Sequence, residues 1–429
     1  NSRGEMTVRL PNIKRYRRAF ILGFYLSIAY LFYYGFSPPD NYRNYNDVNT
    51  HFSIINDLES GVEAALKQAV REFVLPSGHR VTLTIDPDLQ IFVNKIFLKY
   101  DLPIGAVVAV EPASGKVIAM TGYYAGYGLA IEPNLRARYP AASLVKLITA
   151  SAALEELDFS PATKISYRGK LYKVSRLDLK TPESSRYQRM TLTEAIAKSA
   201  NNVFGKLTAN YIGKERFIKY LDKFSFSRSI PFDLYIEESS AEVPENGIEL
   251  ARTGAGFGKV MISPVHAAMI GASVANNGVM MKPFIIESIR DKRGNVLYSA
   301  QMESLGNTIE PETARQLIKM MRKTPVSGTM RKVFSQRRWR KLIEKFDIAG
   351  KTGSITWGPP RIRYEWSLGI APAREPSICF VSLTGNKDLW HIKSTYIVRE
   401  ALAKFFKYDY RKMAKKNIKR KKRYKKRRN

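Results

Sequence analysis

Gly105-Ala-Val-Val-Ala-Val-Glu-Pro-Ala-Ser-Gly-Lys-Val-Ile-Ala-Met120 contains two apolar, β-rich runs, 105–110 and 117–120, joined by the short polar loop 111–116. That pattern predicts a β-hairpin. Just upstream, Val81-Thr-Leu-Thr-Ile85 alternates as a strand does. Asp86-Pro87 then supplies the N-cap and first helical residue of a helix reaching about Lys99. Downstream, a helix starts near Ala141 and a largely helical middle follows. Strand-like runs return around Lys351, at 366–370 and at 378–383. Strands at both ends with helices between them predict an α+β domain: an antiparallel sheet flanked by helices, with a helical subdomain.

The 429 residues have room for one large globular domain or two smaller ones. An apolar fraction of 45% and an aromatic fraction of 11% exclude a disordered chain. The net charge of +32 is concentrated at the ends: 411–429 holds 13 Lys/Arg and no acid, and 1–18 holds 6 basic residues against Glu5. Cys379 is the only cysteine, so no intrachain disulfide and no Cys-based metal site can form. Its surroundings, Ser-Ile-Cys-Phe-Val, read as a buried strand. His51, His79, His266 and His391 share no metal-ligand spacing, and none is paired in sequence with a serine. No metal is expected.

Residues 19–36, AFILGFYLSIAYLFYYGF, form an uncharged apolar run of 18 residues. At about 1.5 Å per residue it covers about 27 Å, the short end of a bilayer span. Lys14, Arg15, Arg17 and Arg18 precede it and Asp40 follows, which orients the N-terminus to the cytoplasm and the remainder outside. A cleaved signal peptide is the competing reading, with Ser27-Ile28-Ala29 as a cleavage site. The apolar run continues past that point and favours an uncleaved anchor. Residues 37–50 read as an extended tether. Residues 51–73 carry Ile55, Leu58, Val62, Leu66, Val70 and Phe73 at helical spacing, which predicts a helix through Phe73. The tail 411–429 lacks apolar periodicity and is expected to be disordered. Outside the cell its available polyanions are lipid head groups, envelope polymers or a partner's acidic face; a merely solvated tail is the other reading. Nucleic acid is not expected.

Three short motifs occur in order: Ser143-Leu-Val-Lys146, Ser199-Ala-Asn201 and Lys351-Thr352-Gly353. Ser143 falls in the first turn of the helix starting near Ala141, where free N–H groups favour negative charge. Lys146 is three residues on and within reach of its hydroxyl. A lysine acts as base only when neutral, which burial and a nearby cation promote, and Lys351 is the natural cation. Thr191-Leu-Thr-Glu194 is a capping box for a short helix, so Ser199 and Asn201 fall at a helix–helix corner before a second helix that Gly213 stops. Lys351-Thr-Gly353 follows an apolar approach, as an edge strand would, and Gly353 leaves that edge open to a peptide. Each motif alone is weak: a cap serine with a solvated lysine, a loop satisfying its own backbone, a strand with a surface lysine. The ordered set is specific. Gly254-Ala-Gly-Phe-Gly258-Lys259 is not a phosphate loop, because Thr253 and Val260 stand where Gly and Ser/Thr are required.

The triplet resembles the active-site motifs of the penicillin-binding, serine-acylating enzymes that work on peptidoglycan. Leu83-Thr-Ile-Asp-Pro-Asp-Leu-Gln90, the 105–120 hairpin, Gly256-Phe-Gly-Lys-Val-Met-Ile-Ser-Pro264, Ala275-Asn-Asn-Gly278, Gly328-Thr329 and Ala349-Gly-Lys-Thr-Gly-Ser354 extend the likeness across about 81–404. It implies a serine D,D-transpeptidase with Ser143 as nucleophile, Lys146 as base and Ser199 relaying a proton to the leaving amine. Asn201 would bind the substrate's peptide amide, Lys351 and Thr352 its terminal carboxylate, and the N–H groups of Ser143 and Ser354 would form the oxyanion hole. The implied substrates are peptidoglycan stem peptides, with β-lactams as covalent inhibitors and no cofactor. The implied location is the bacterial inner membrane, with the catalytic domain in the periplasm.

The chain then divides into a basic N-terminus (1–18), an anchor (19–36), a tether and helix (37–80), a transpeptidase domain (81–406) and a basic tail (407–429). About forty residues between anchor and domain leave no room for a glycosyltransferase. A D,D-carboxypeptidase, a β-lactamase-like hydrolase and a non-turnover binding protein of the same fold remain as alternatives. The Glu-x-x-Leu-Asn pattern of class A β-lactamases is absent.

Overall fold

The computed structural model describes residues 46–387 and 391–408. The apolar run 19–36, the first part of the tether and the tail from 409 onward lie outside them. Among the described residues no helix is long and apolar enough to cross a membrane.

Helix α1 (Asn46–Gln68) buries Leu58, Val62 and Leu66 in the main core, so its periodic apolar stripe is a packing face. The helix stops at Gln68 and does not reach Phe73. Ala69 turns left-handed (φ 56°), and the Val70 N–H closes back on the Ala65 carbonyl at 2.9 Å. Strand β1 (Glu72–Val74) then pairs with β2 (Arg80–Leu83), with Phe73 opposite Val81. The Phe73 ring still covers α1, lying where a side chain at Gly61 would be. The same apolar face is satisfied from a strand, and for that reason periodicity misassigned the last turn.

Asp86 caps α2 (Pro87–Tyr100) by accepting from the Leu89 N–H at 3.0 Å. The 105–120 stretch forms the expected antiparallel hairpin, β3 (Ile104–Val110) with β4 (Val117–Tyr124), and β5 (Gly128–Ala130) adds to it. The helical middle contains α3 (Val145–Glu156) and α4 (Leu192–Lys198), the latter opened by the complete Thr191/Glu194 capping box. It continues with α5 (Asn201–Leu207) and α6 (Pro264–Ala275). After α5 the chain passes through a π turn, Thr208–Ile212, that ends at Gly213 (φ 78°). Strands β6 (Ile286–Arg290) and β7 (Val296–Ser299) complete a small antiparallel sheet ordered β1-β2-β6-β7. The chain then forms β8 (Ala349–Trp357), β9 (Ile362–Ala371), β10 (Ile378–Asn386) and α7 (Ser394–Phe405).

The main sheet is antiparallel and ordered β8-β9-β10-β3-β4-β5, so the hairpin that opens the domain pairs with strands that close it. Helix α6 covers one face: a side chain at Gly271 would lie 2.6 Å from Cys379 Sγ. Helix α7 covers the other, where a side chain at Gly369 would lie 2.5 Å from Val398. Cys379 is fully buried between these layers, and burial pushes its thiol pKa up. His266 is also buried. Its Nε2 lies 2.6 Å from the Phe224 carbonyl and its Nδ1 2.7 Å from Ser239 Oγ, and burial pulls its pKa to about 4. Both residues serve packing. Strand β8 is the free edge of the sheet, and the turn bearing Ser143 packs against it.

Candidate active site

Ser143 sits in the 3-10 turn Ala142–Leu144 that runs directly into α3. The cause is Ala142, held in the left-handed region at φ 48°, a conformation that costs an L-residue about 1–2 kcal/mol. The surroundings enforce it. The Ala141 N–H donates to the Val260 carbonyl at 2.8 Å, and the Trp366 indole N–H donates to the Pro140 carbonyl at 2.8 Å. Gly256 (φ 94°) presses so close that a side chain there would lie 2.2 Å from the Ala142 carbonyl oxygen. Gly353 does the same from β8: its missing side chain would sit 3.1 Å from the Ser143 backbone nitrogen. The absent side chain of Gly353 thus makes room for the nucleophile turn, and Gly353 also lines the cleft.

Lys146 is fully buried, and its Nζ lies 2.6 Å from Ser143 Oγ. It donates to Asn201 Oδ1 at 2.6 Å and to the Ala255 carbonyl at 2.9 Å, and it stands 3.4 Å from Ser199 Oγ. The Asn201 amide cannot be reversed, because its Nδ2 donates to the Tyr172 carbonyl at 2.8 Å, and a carbonyl only accepts. Two obligate acceptors thus occupy two N–H bonds. A neutral amine has two N–H bonds and one lone pair, and the lone pair is left facing the Ser143 hydroxyl. Burial holds the Lys146 pKa well below the usual lysine value, and the charge of Lys351 lowers it further. No carboxylate forms an ion pair with Lys146 among the described residues.

Ser199 closes α4 in the left-handed conformation (φ 56°), which turns its hydroxyl into the cleft between the two lysines. Lys351 Nζ donates to Ser199 Oγ at 2.9 Å and to the Thr352 carbonyl at 2.6 Å, and burial brings its pKa down to about 7. Thr352 Oγ1 lies 2.6 Å from Thr329 Oγ1. Ser143, Ser199, Asn201, Thr352, Gly353 and Ser354 all line one cleft of about 590 Å³. Lys146 and Lys351 stand behind it, so the structure brings every residue of the three motifs together. Tyr172, Ala255, Gly256, Trp366 and Glu365 also shape the cleft, and the motif reading assigned them no role. Tyr172 and Ala255 act through backbone carbonyls, which leave no trace in side-chain identity. Among the described residues no group of three or more His, Cys, Asp or Glu side chains could hold a metal ion.

Residues 105–405 match the penicillin binding protein transpeptidase domain, and the chain belongs to that family. Peptidoglycan D,D-transpeptidase PbpA of Mycolicibacterium smegmatis is 25% identical over 353 residues, covering 72% of this chain and 67% of that one. The fold is similar to penicillin-binding protein A from M. tuberculosis in its imipenem acyl-enzyme complex, with a TM-score of 0.63 at 20% identity over 84% of each chain. It is also similar to a D,D-transpeptidase domain from Eggerthella lenta, with a TM-score of 0.65 at 21% identity, covering 80% of this chain and 91% of that one. The expected α+β architecture is thereby borne out.

Proposed function

We propose that this chain is a serine D,D-transpeptidase that cross-links peptidoglycan stem peptides through an acyl-enzyme on Ser143. The observation that carries the reading is the placement of the Lys146 amine, 2.6 Å from Ser143 Oγ, with Asn201 Oδ1 and the Ala255 carbonyl taking its other two positions. Lys146 takes the hydroxyl proton as Oγ bonds to the penultimate D-Ala carbonyl carbon. The Ser143 and Ser354 N–H groups stabilise the resulting oxyanion. Collapse breaks the bond to the terminal D-Ala, and the proton returns to the departing amine through Ser199, which lies between the two lysines. Thr352 and the Lys351 cation hold the terminal carboxylate, and Asn201 holds the peptide amide. An acceptor amine then forms the new C–N bond as the ester to Ser143 breaks. β-Lactams acylate the same serine. A fluorescent penicillin should label wild-type protein on Ser143 and leave Ser143→Ala unlabelled; label elsewhere would refute the assignment. Transfer to an added amine, measured with a stem-peptide donor, separates the transpeptidase from a hydrolase.

The uncharged run 19–36 and the basic cluster before it support a single-pass inner-membrane anchor, with 81–406 working in the periplasm. A reporter fused after Asn429 should be active only outside the cytoplasm. The tail 411–429 is proposed to engage anionic envelope material. Its removal should weaken that binding in a salt-dependent way, and unchanged binding would mean a solvated tail.

A further inference from the structure

Beside the three motifs the cleft wall carries a carboxylate that the proposed reaction does not use. Glu365 lies on β9, directly opposite Ser354 in register, and it lines the same cleft as Ser143. The residue is only 8% exposed. Its Oε1 stands 3.7 Å from Arg363 Nε, whereas its Oε2 is buried with no hydrogen-bond partner. The neighbouring rows of the sheet repeat the pattern. Thr384 faces Glu365 and Ser382 faces Ser367, and the hydroxyls of Thr384, Ser382 and Ser367 are likewise buried and unpartnered. Those three hydroxyls are fully buried and do not line the cleft, whereas Glu365 does, and a buried carboxylate oxygen without a partner in a cleft wall points to a partner that arrives from outside the chain. A carboxylate oxygen only accepts, so that partner must donate. Burial raises the Glu365 pKa, while the charges of Arg363 and Lys393 and a hydrogen bond with Arg363 pull the other way.

We infer that Glu365 forms a subsite for a primary ammonium group on a peptide substrate, held at the β9 side of the cleft beside Ser354. This rests on the transpeptidase reading, whose chemistry offers two sources of such a group: a diamino-acid side chain in the donor stem, or the acceptor, whose ammonium passes a proton to the Glu365 carboxylate before the free amine attacks the ester.

The test uses the full chain and its Glu365→Gln variant, which keeps shape and removes charge. Labelling of Ser143 by a fluorescent penicillin verifies that the variant is assembled. In the donor arm, kcat/KM is compared for a stem peptide with a free side-chain amine and for its N-acetylated form. In the acceptor arm, transfer to glycinamide is compared with transfer to hydroxylamine, which is uncharged at neutral pH. Wild type should prefer the ammonium compound in one arm, and Glu365→Gln should lose about tenfold of that preference. The arm that responds identifies the source. Equal losses on charged and neutral compounds, or no preference in either arm, would overturn the subsite. Failure of wild type to form a penicillin adduct would instead overturn the transpeptidase reading.

Discussion

Lys146 and Lys206 are both buried and both lie on helices bordering the Ser-x-Asn corner, yet their surroundings differ in one respect. Lys206 donates to Glu183 Oε1 at 2.5 Å and to the Ser166 carbonyl at 2.9 Å, so its charge has a counter-charge. Lys146 faces two hydroxyls, an amide oxygen and a carbonyl, with no carboxylate. A buried ammonium without a counter-ion gives up its proton, and with Lys351 nearby this one is pushed further in that direction. The comparison separates two uses of one residue type. Pairing makes Lys206 structural, and withholding the pair, with the Lys351 charge beside it, makes Lys146 a base.

The largest effect should come from removing the base. Lys146→Met is expected to slow penicillin acylation on the order of 10³-fold or more, nearly as much as Ser143→Ala, and the double variant should be no worse than Ser143→Ala. Rapid mixing with a fluorescent penicillin measures this. A Lys146→Met enzyme within tenfold of wild type would break the distinction between the two lysines.

The second effect is in pH. Lys351 must be charged to hold a carboxylate, and its pKa lies at about 7, so kcat/KM for acylation should fall as pH rises through that value. Lys351→Arg should remove the falling limb, because arginine stays charged. Lys351→Met should shift the rising limb to higher pH, because the charge that lowers the Lys146 pKa is gone. Stability has its own sign. The folded pKa of Lys351 lies below the unfolded one, so the unfolded chain binds more protons between about pH 7 and the ordinary lysine value of 10.5. The destabilisation from burying Lys351 is complete below that window and shrinks as pH rises through it. The stability gained by Lys351→Met should therefore be greatest at the acid end and vanish at the alkaline end. A gain constant across the window would show that the lysine does not titrate there.

Ser199→Ala should come next, at about 10²-fold in acylation rate with the label still on Ser143, because the hydroxyl bridges the two lysines without being the nucleophile. A loss as deep as that of Lys146→Met would make Ser199 part of the base itself.

The legible parts of this molecule were those with local causes. Asp86-Pro87, the Thr191–Glu194 box and the 105–120 hairpin each specify their geometry within a few residues, and each formed where expected. The three motifs were legible as chemistry because side-chain type carries it. The rest depends on contacts distant in sequence. Nothing at Ala255 or Tyr172 signals that their carbonyls orient the Lys146 amine and the Asn201 amide. Gly256 reads as an ordinary turn glycine until it is seen against Ala142. Glu365 looks like an alternating polar residue on a strand, and only the pairing with Ser354 brings it to the cleft. The helix through Phe73 failed because one apolar face can be buried from a helix or from a strand.

The smallest effect belongs to the paired lysine, and it tests the comparison from the other side. Lys206→Met should leave penicillin acylation within about twofold of wild type, since Lys206 touches neither the cleft nor the nucleophile turn. Its cost should fall on stability. Burial tends to raise the Glu183 pKa, but hydrogen bonds from Lys206, the Ser166 N–H and Tyr211 bring it below the usual carboxylate value. That contribution is present above the ordinary carboxylate pKa and is lost as pH falls through the lower folded value. Glu183 keeps about a third of its side chain in solvent, so screening limits the loss to about 1–2 kcal/mol at neutral pH. Urea unfolding of Lys206→Met, wild type and Glu183→Gln at pH 7 and pH 3 measures it, and the gap between variants and wild type should close at the lower pH. A Lys206→Met enzyme that unfolds like wild type but acylates slowly would move Lys206 into the catalytic network and end the contrast with Lys146.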